Sequence, residues 1–294
     1  MKQWEKSDAD YRQYIKLTPG LIQGNLYLGR NLFLQKKYEE ALKQYQYAHK
    51  LAERTYTYSA MAEAEVELGK YEDAATHIIE SLKMESGEET CMEILQNNKN
   101  AKLAELLLQK FHARELANPN VIDWYYYTMC VQRGQKEYED AIRTCQKIQA
   151  ITPDAYFDDY MAGLYRKMGD WDNALKFQNK AVENDSTDSD YRVARAFTYS
   201  EMDSIDQMYA DIDNVLKQHP DEANLYFARG ELNFFHKNYS AAIDDYTNGL
   251  AFDNSNDWER YMRGRCYAAN GQTDKAQTDT SRSEERFSRN AETD

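Results

Sequence analysis

The chain has 294 residues, 42% of them hydrophobic, and 36 Lys and Arg against 50 Asp and Glu give a formal net charge of −14. So acidic a surface repels phosphate backbones and anionic bilayers, which removes nucleic acid from the expected partners. No stretch approaches the ~18 consecutive apolar residues that membrane insertion needs.

Taken in chain order, the amino terminus MKQWEKSDAD has no apolar stretch able to serve as a signal-peptide core. DYRQYIKLTPG then sets Tyr11, Tyr14 and Ile15 on one face and stops at Pro19 and Gly20, which predicts a lone capping helix over 1–21. From there a motif recurs: KYEEALKQY at 37–45, KYEDAATHI at 70–78, EYEDAIRTC at 137–145, DWDNALKFQ at 170–178 and NYSAAIDDY at 238–246. Its small central residue serves as a ruler. Ala41, Ala74, Ala141, Ala174, Met208 in a poorer copy, Ala242 and Ala276 lie at intervals of 33, 67, 33, 34, 34 and 34. The 67 is two periods, and Leu107 in KLAELLLQKF marks the disguised copy. Such a period predicts stacked helix pairs, each unable to bury its apolar face without a neighbour. Two repeats fall over 22–86, a degenerate one over 87–119 and five over 120–294, all in one solenoid.

The punctuation inside a repeat is clearest in the fifth. Met161, Leu164, Tyr165 and Met168 share a helical face that ends at Gly169, and a second run opens at Trp171. Ala162, Ala174 and Ala181 let the two helices approach closely while Trp171 wedges the turn. The third repeat departs from this: ETCMEILQ is short, meets the turn NNKN without a glycine, and has Leu95 where a small residue is expected. It reads either as a bend between two repeats and a five-repeat body or as ordinary drift. In the last three repeats Arg195, Arg229 and Arg263 recur every 34 residues, and Asp211, Asp245 and Asp279 recur in step. The fifth repeat has Met161 and Phe177 in those places, so the charges read as half-buried Arg–Asp pairs replacing an apolar contact rather than as a ligand-binding row. The last helix offers Thr280 and Ser283 where an earlier one offers Tyr246 and Gly249, a polar face suited to an end.

Chemistry-bearing constellations are missing. Cys91, Cys130, Cys145 and Cys266 lie 39, 15 and 121 residues apart with no histidine at metal-ligand spacing, which predicts neither a metal site nor a disulfide framework. His49, His77, His112, His219 and His236 share no spacing, and no nucleophile motif or glycine-rich phosphate loop occurs. No enzyme activity, cofactor or metal is expected. Cysteines without disulfide spacing lean cytoplasmic, although an exported form already cleaved would look the same.

The chain resembles the tetratricopeptide repeat family. The resemblance rests on the period, a small residue at the eighth position (Gly29, Ala62, Ala162, Ala196, Gly230, Gly264), an aromatic at the seventeenth (Tyr38, Tyr71, Tyr138, Trp171, Tyr239), alanine at the twentieth, and Pro153 and Pro220 near repeat ends. It implies an all-α, right-handed α-α superhelix, a solenoid of about eight helix hairpins behind an N-terminal capping helix. The RGxxY and AIxDY style of the later repeats is similar to bacterial members. The resemblance also implies a concave groove lined by the second, fifth, ninth, twelfth and thirteenth positions of each repeat. That places Tyr125, Phe197, Phe227, Phe234, Trp258 and Tyr261 in it, with Arg30, Arg166, Lys167 and Arg265 and with Glu63, Asp159 and Glu231. Aromatics and arginines are what binding hot spots favour. The carboxylate-clamp specialisation needs Lys and Asn at the fifth and ninth positions. Leu26 with Arg30, Ser59 with Glu63, and Tyr125 with Met129 stand there instead. The expected function is a non-enzymatic scaffold that holds a peptide segment of another protein; the alternative is a ligand-sensing or regulatory module of a larger signalling protein.

Overall fold

The computed structural model describes residues 2–85 and 88–281, and every regular element among them is helical. The chain divides after Pro153 into two compact units. In the first, α1 (Lys2–Leu17) precedes four hairpins: α2 (Ile22–Leu34) with α3 (Tyr38–Leu51), α4 (Thr55–Glu67) with α5 (Tyr71–Met84), α6 (Glu89–Asn97) with α7 (Ala101–Ala117), and α8 (Ile122–Gly134) with α9 (Tyr138–Ile151). The second contains α10 (Ala155–Met168) with α11 (Trp171–Asn184), α12 (Ser189–Glu201) with α13 (Ile205–Gln218), and α14 (Ala223–Phe235) with α15 (Tyr239–Phe252). Its last hairpin pairs α16 (Asp257–Ala269) with the helical residues 273–281.

Seven of these hairpin turns use the same device. Lys36, Gly69, Lys136, Gly169, Asp203, Lys237 and Gly271 all take a left-handed conformation, with φ between 56° and 76°. The next residue then donates its N–H to the carbonyl five places back, as in Lys37 to Leu32 (2.9 Å) and Asp170 to Tyr165 (3.0 Å), which closes the first helix and reverses the chain. The degenerate repeat turns differently. Asn98 stays extended, and the Asn100 side chain caps α7 by accepting from the Lys102 and Leu103 N–H groups. Its nine-residue α6 is not a loose joint, because Cys91 and Leu95 pack with Leu103, Leu107, Phe111 and Tyr127 inside the core of the first unit.

The ruler residues sit at the closest approaches: Ala41, Ala74, Leu107, Ala141, Ala174 and Ala242 are fully buried and Met208 nearly so. At Gly29 a Cβ would overlap the Tyr45 ring, and at Gly249 it would overlap Phe227, so in both hairpins an aromatic fills the space that a missing side chain leaves. At the last hairpin Thr280 donates to the Ala276 carbonyl of its own helix (2.9 Å); Ser283 lies outside the described residues.

The second unit is tied together by its arginines. Arg195 donates to both oxygens of Asp211 (2.6 and 2.7 Å) and, through Nη1, to Asn179 (2.8 Å). Arg229 does the same with the two oxygens of Asp245 (2.6 and 3.1 Å) and with Asp213 (2.6 Å), and Arg263 with Asp279 (2.8 and 3.0 Å) and Thr247 (3.2 Å). Each guanidinium therefore bonds the second helix of its own hairpin and the second helix of the hairpin before. Burial holds Asp245 above the usual carboxylate range even though Arg229 and Asn233 both donate to it.

Candidate functional site

The first helices of the hairpins bring expected binding residues together within each unit. In the first, α2, α4 and α6 enclose a hollow of 300 Å³. Leu26 and Tyr27 of α2 and Tyr56 of α4 supply its apolar wall. Arg30 donates to both carboxylate oxygens of Glu63 (2.9 and 2.8 Å) yet keeps 55% of its side chain exposed, so the pair is an available polar contact rather than a core bond. Glu88 and Glu93 make the rest of the rim acidic.

In the second unit the aromatic residues converge on α14 and α16. The Arg265 guanidinium lies 4.9 Å from the Phe234 ring centre, and Trp258 and Tyr261 lie 5.7 Å apart with Trp258 55% exposed. A cation over an aromatic face next to an exposed indole makes an adhesive patch at small entropic cost. Burial, with the Glu231 charge nearby, pushes the Glu259 carboxyl up to about 7. On α10, Asp159 is also raised, chiefly by burial; Asp188 and Asp190 add to the shift and Arg166 opposes it. Lys167 is exposed there, and Phe197 of α12 is half-buried, packed with Val193 and Tyr199 against the core formed by Ala196, Met208 and Ile212.

Two expected groove residues lie elsewhere. Phe227 is 5% exposed and fills the space over Gly249, in a core with Ile243, Tyr246 and Met262; the neighbouring glycine draws its ring inward. Tyr125 is buried too, with the Lys147 ammonium of α9 6.0 Å from its ring centre. In NFFHKNY, Asn233 is the inward residue, 1% exposed and donating to Asp245 (2.8 Å), while Phe234 stays on the half-exposed side under Arg265. Sequence reasoning missed Tyr27, Tyr56 and Glu259. Tyr56 occupies the second position of its repeat and was within reach of the positional rule; Tyr27 and Glu259 each fall one place off it.

The period, the seven shared turns and the small-residue packing make these hairpins tetratricopeptide-type repeats. No family model matches the chain. A curated relative, the Hsp70-Hsp90 organizing protein of Triticum aestivum, is 22% identical over 247 residues, which cover 78% of this chain and 40% of that protein. The chain thus spans less than half the length of the curated relative it matches. Solved structures similar to it include a tetratricopeptide repeat protein from Parabacteroides merdae (16% identity, 83% of this chain and 98% of that one, TM-score 0.46). MamA (16%, 56% and 96%, 0.47) and yeast Tom70 (15%, 90% and 69%, 0.43) are others. Among the described residues no helix is long and apolar enough to cross a membrane.

Proposed function

We propose that the protein is a non-catalytic scaffold that holds a segment of another protein against the first-helix faces of its hairpins. The observation that carries this reading is the patch on α14 and α16, where the exposed Arg265 and Trp258 lie against the half-buried rings of Phe234 and Tyr261, which themselves pack on the core beneath. An exposed indole and guanidinium backed by half-buried rings bury large area on binding with little ordering cost. The acids around them, Glu231 and Glu259, favour a segment that brings a cation beside its apolar anchors. The chaperone pairing in the wheat protein's name is not carried over, because the Lys and Asn of a carboxylate clamp are replaced by Leu26 and Arg30, and by Ser59 and Glu63.

The test is capture from the native lysate by the tagged chain and by a Trp258→Ala/Tyr261→Ala/Arg265→Ala variant with an unchanged helical circular-dichroism signal. A protein held by the first and lost by the second identifies the partner and places it on this face. Equal capture by both overturns the reading.

A further inference from the structure

A second surface, independent of the α14 and α16 patch, lies on the opening elements of the chain. A groove of 510 Å³ runs among α1, α2 and α3, open to solvent. Ile15 and Leu28 form its apolar floor, and Tyr47 and Leu51 stand along its edge, 57% and 45% exposed. Arg12, Lys16 and Lys50 line it, with the Lys50 ammonium 5.8 Å from the Tyr47 ring centre. No Asp or Glu is among the lining residues, and none of the three cations enters an ion pair among the described residues. In a chain carrying −14 overall, with an acidic hollow on the first-helix face of the same unit, an all-cationic apolar groove is a local reversal of sign.

We propose that this groove docks an acidic amphipathic segment of another protein, with apolar side chains seated on Ile15, Leu28, Tyr47 and Leu51 and carboxylates facing Arg12, Lys16 and Lys50. Charge complementarity selects the occupant. The net negative field turns anionic segments away from the rest of the surface, while three cations around one apolar trough attract them there. The open form favours a peptide over an acyl chain, since an alkyl tail gains most where a cavity encloses it on all sides. Asn25, on the floor and 6% exposed, offers an amide that can both donate to and accept from a peptide backbone.

The test uses the full chain and two fluorescein-labelled peptides with leucines at helical spacing, one with Glu and one with Lys at every other position, read by fluorescence polarisation. The Glu peptide binds and weakens as salt rises; an Arg12→Glu/Lys16→Glu/Lys50→Glu variant loses about tenfold in affinity for it and gains affinity for the Lys peptide. All three positions are exposed, so folding is preserved and is verified by circular dichroism. Equal binding of the two peptides, or an unchanged affinity in the charge-reversed variant, overturns the proposal. So does oleate binding at one equivalent and displacing the Glu peptide, which would make the groove a site for anionic amphiphiles.

Discussion

Four of the seven left-handed turn residues carry a side chain: Lys36, Lys136, Asp203 and Lys237. For such residues the left-handed region costs roughly 1–2 kcal/mol, part of which glycine would return as extra freedom of the unfolded chain. Lys136→Gly is therefore expected to stabilise the protein by about 0.5–1 kcal/mol, seen as a higher urea midpoint at unchanged slope. Glu259 gives a second expectation at this scale. Its folded carboxyl titrates at about 7 against an ordinary 4.5, so its favourable contribution is complete below 4.5 and is lost as pH rises through 7. The stability of Glu259→Gln relative to wild type should therefore climb between pH 5 and 8, read from urea midpoints across that range; a constant difference would mean the carboxyl is not held up. The turn at Gly169 was legible because glycine advertises it. The lysines at the same place were not, since their conformation is imposed by the helices on either side and contradicts their own preference.

Between elements, the arginine staples decide more than the individual turns. Arg195 and Asp211 are 16% and 8% exposed in their side chains, and removing one partner leaves the other charged without its closest match. Arg195→Met is expected to cost about 3 kcal/mol or more. The double variant Arg195→Met/Asp211→Phe should recover most of that loss, because Met161 and Phe177 already fill the equivalent places in the α10 and α11 hairpin, 1% and 8% exposed. A thermodynamic cycle of the two single variants and the double measures the coupling, and additive losses would show that the pair does not act as a unit. The Arg–Asp partnership was readable from its fixed separation of 16 residues. The bond to the preceding hairpin was not, because its acceptor changes from Asn179 to Asp213 to Thr247 and only the spacing persists. The binding faces were legible in part for a related reason. A positional rule finds the face of a helix, but Gly249 decides whether the Phe227 ring stays on it.

For the whole molecule, the division after Pro153 and the separate cores on either side govern how it unfolds. Arrays of locally packed repeats lose cooperativity as they lengthen, so the calorimetric unfolding enthalpy is expected to exceed the van't Hoff value. Equality of the two would show that the units melt as one. The helical character and the repeat count were open in the sequence, since both follow from local periodicity. The place of the division was not. The sequence draws the eye to the degenerate third repeat, where Leu95 and Asn100 break the pattern, yet these residues are absorbed into the first unit, Leu95 in its core and Asn100 as the cap of α7.

The staples also bear on how such a chain can grow. Every stapling arginine finds one acceptor 16 residues behind it and another 16 residues ahead. A tandem copy of the segment 205–238 would arrive with its own arginine and with acceptors in register for the arginines on both sides. Lengthening the second unit by whole periods therefore leaves no buried charge stranded, whereas an insertion of any other size breaks at least one bond at the joint. The genetic step most easily tolerated is duplication, and the array carries its own measure of where the cut must fall.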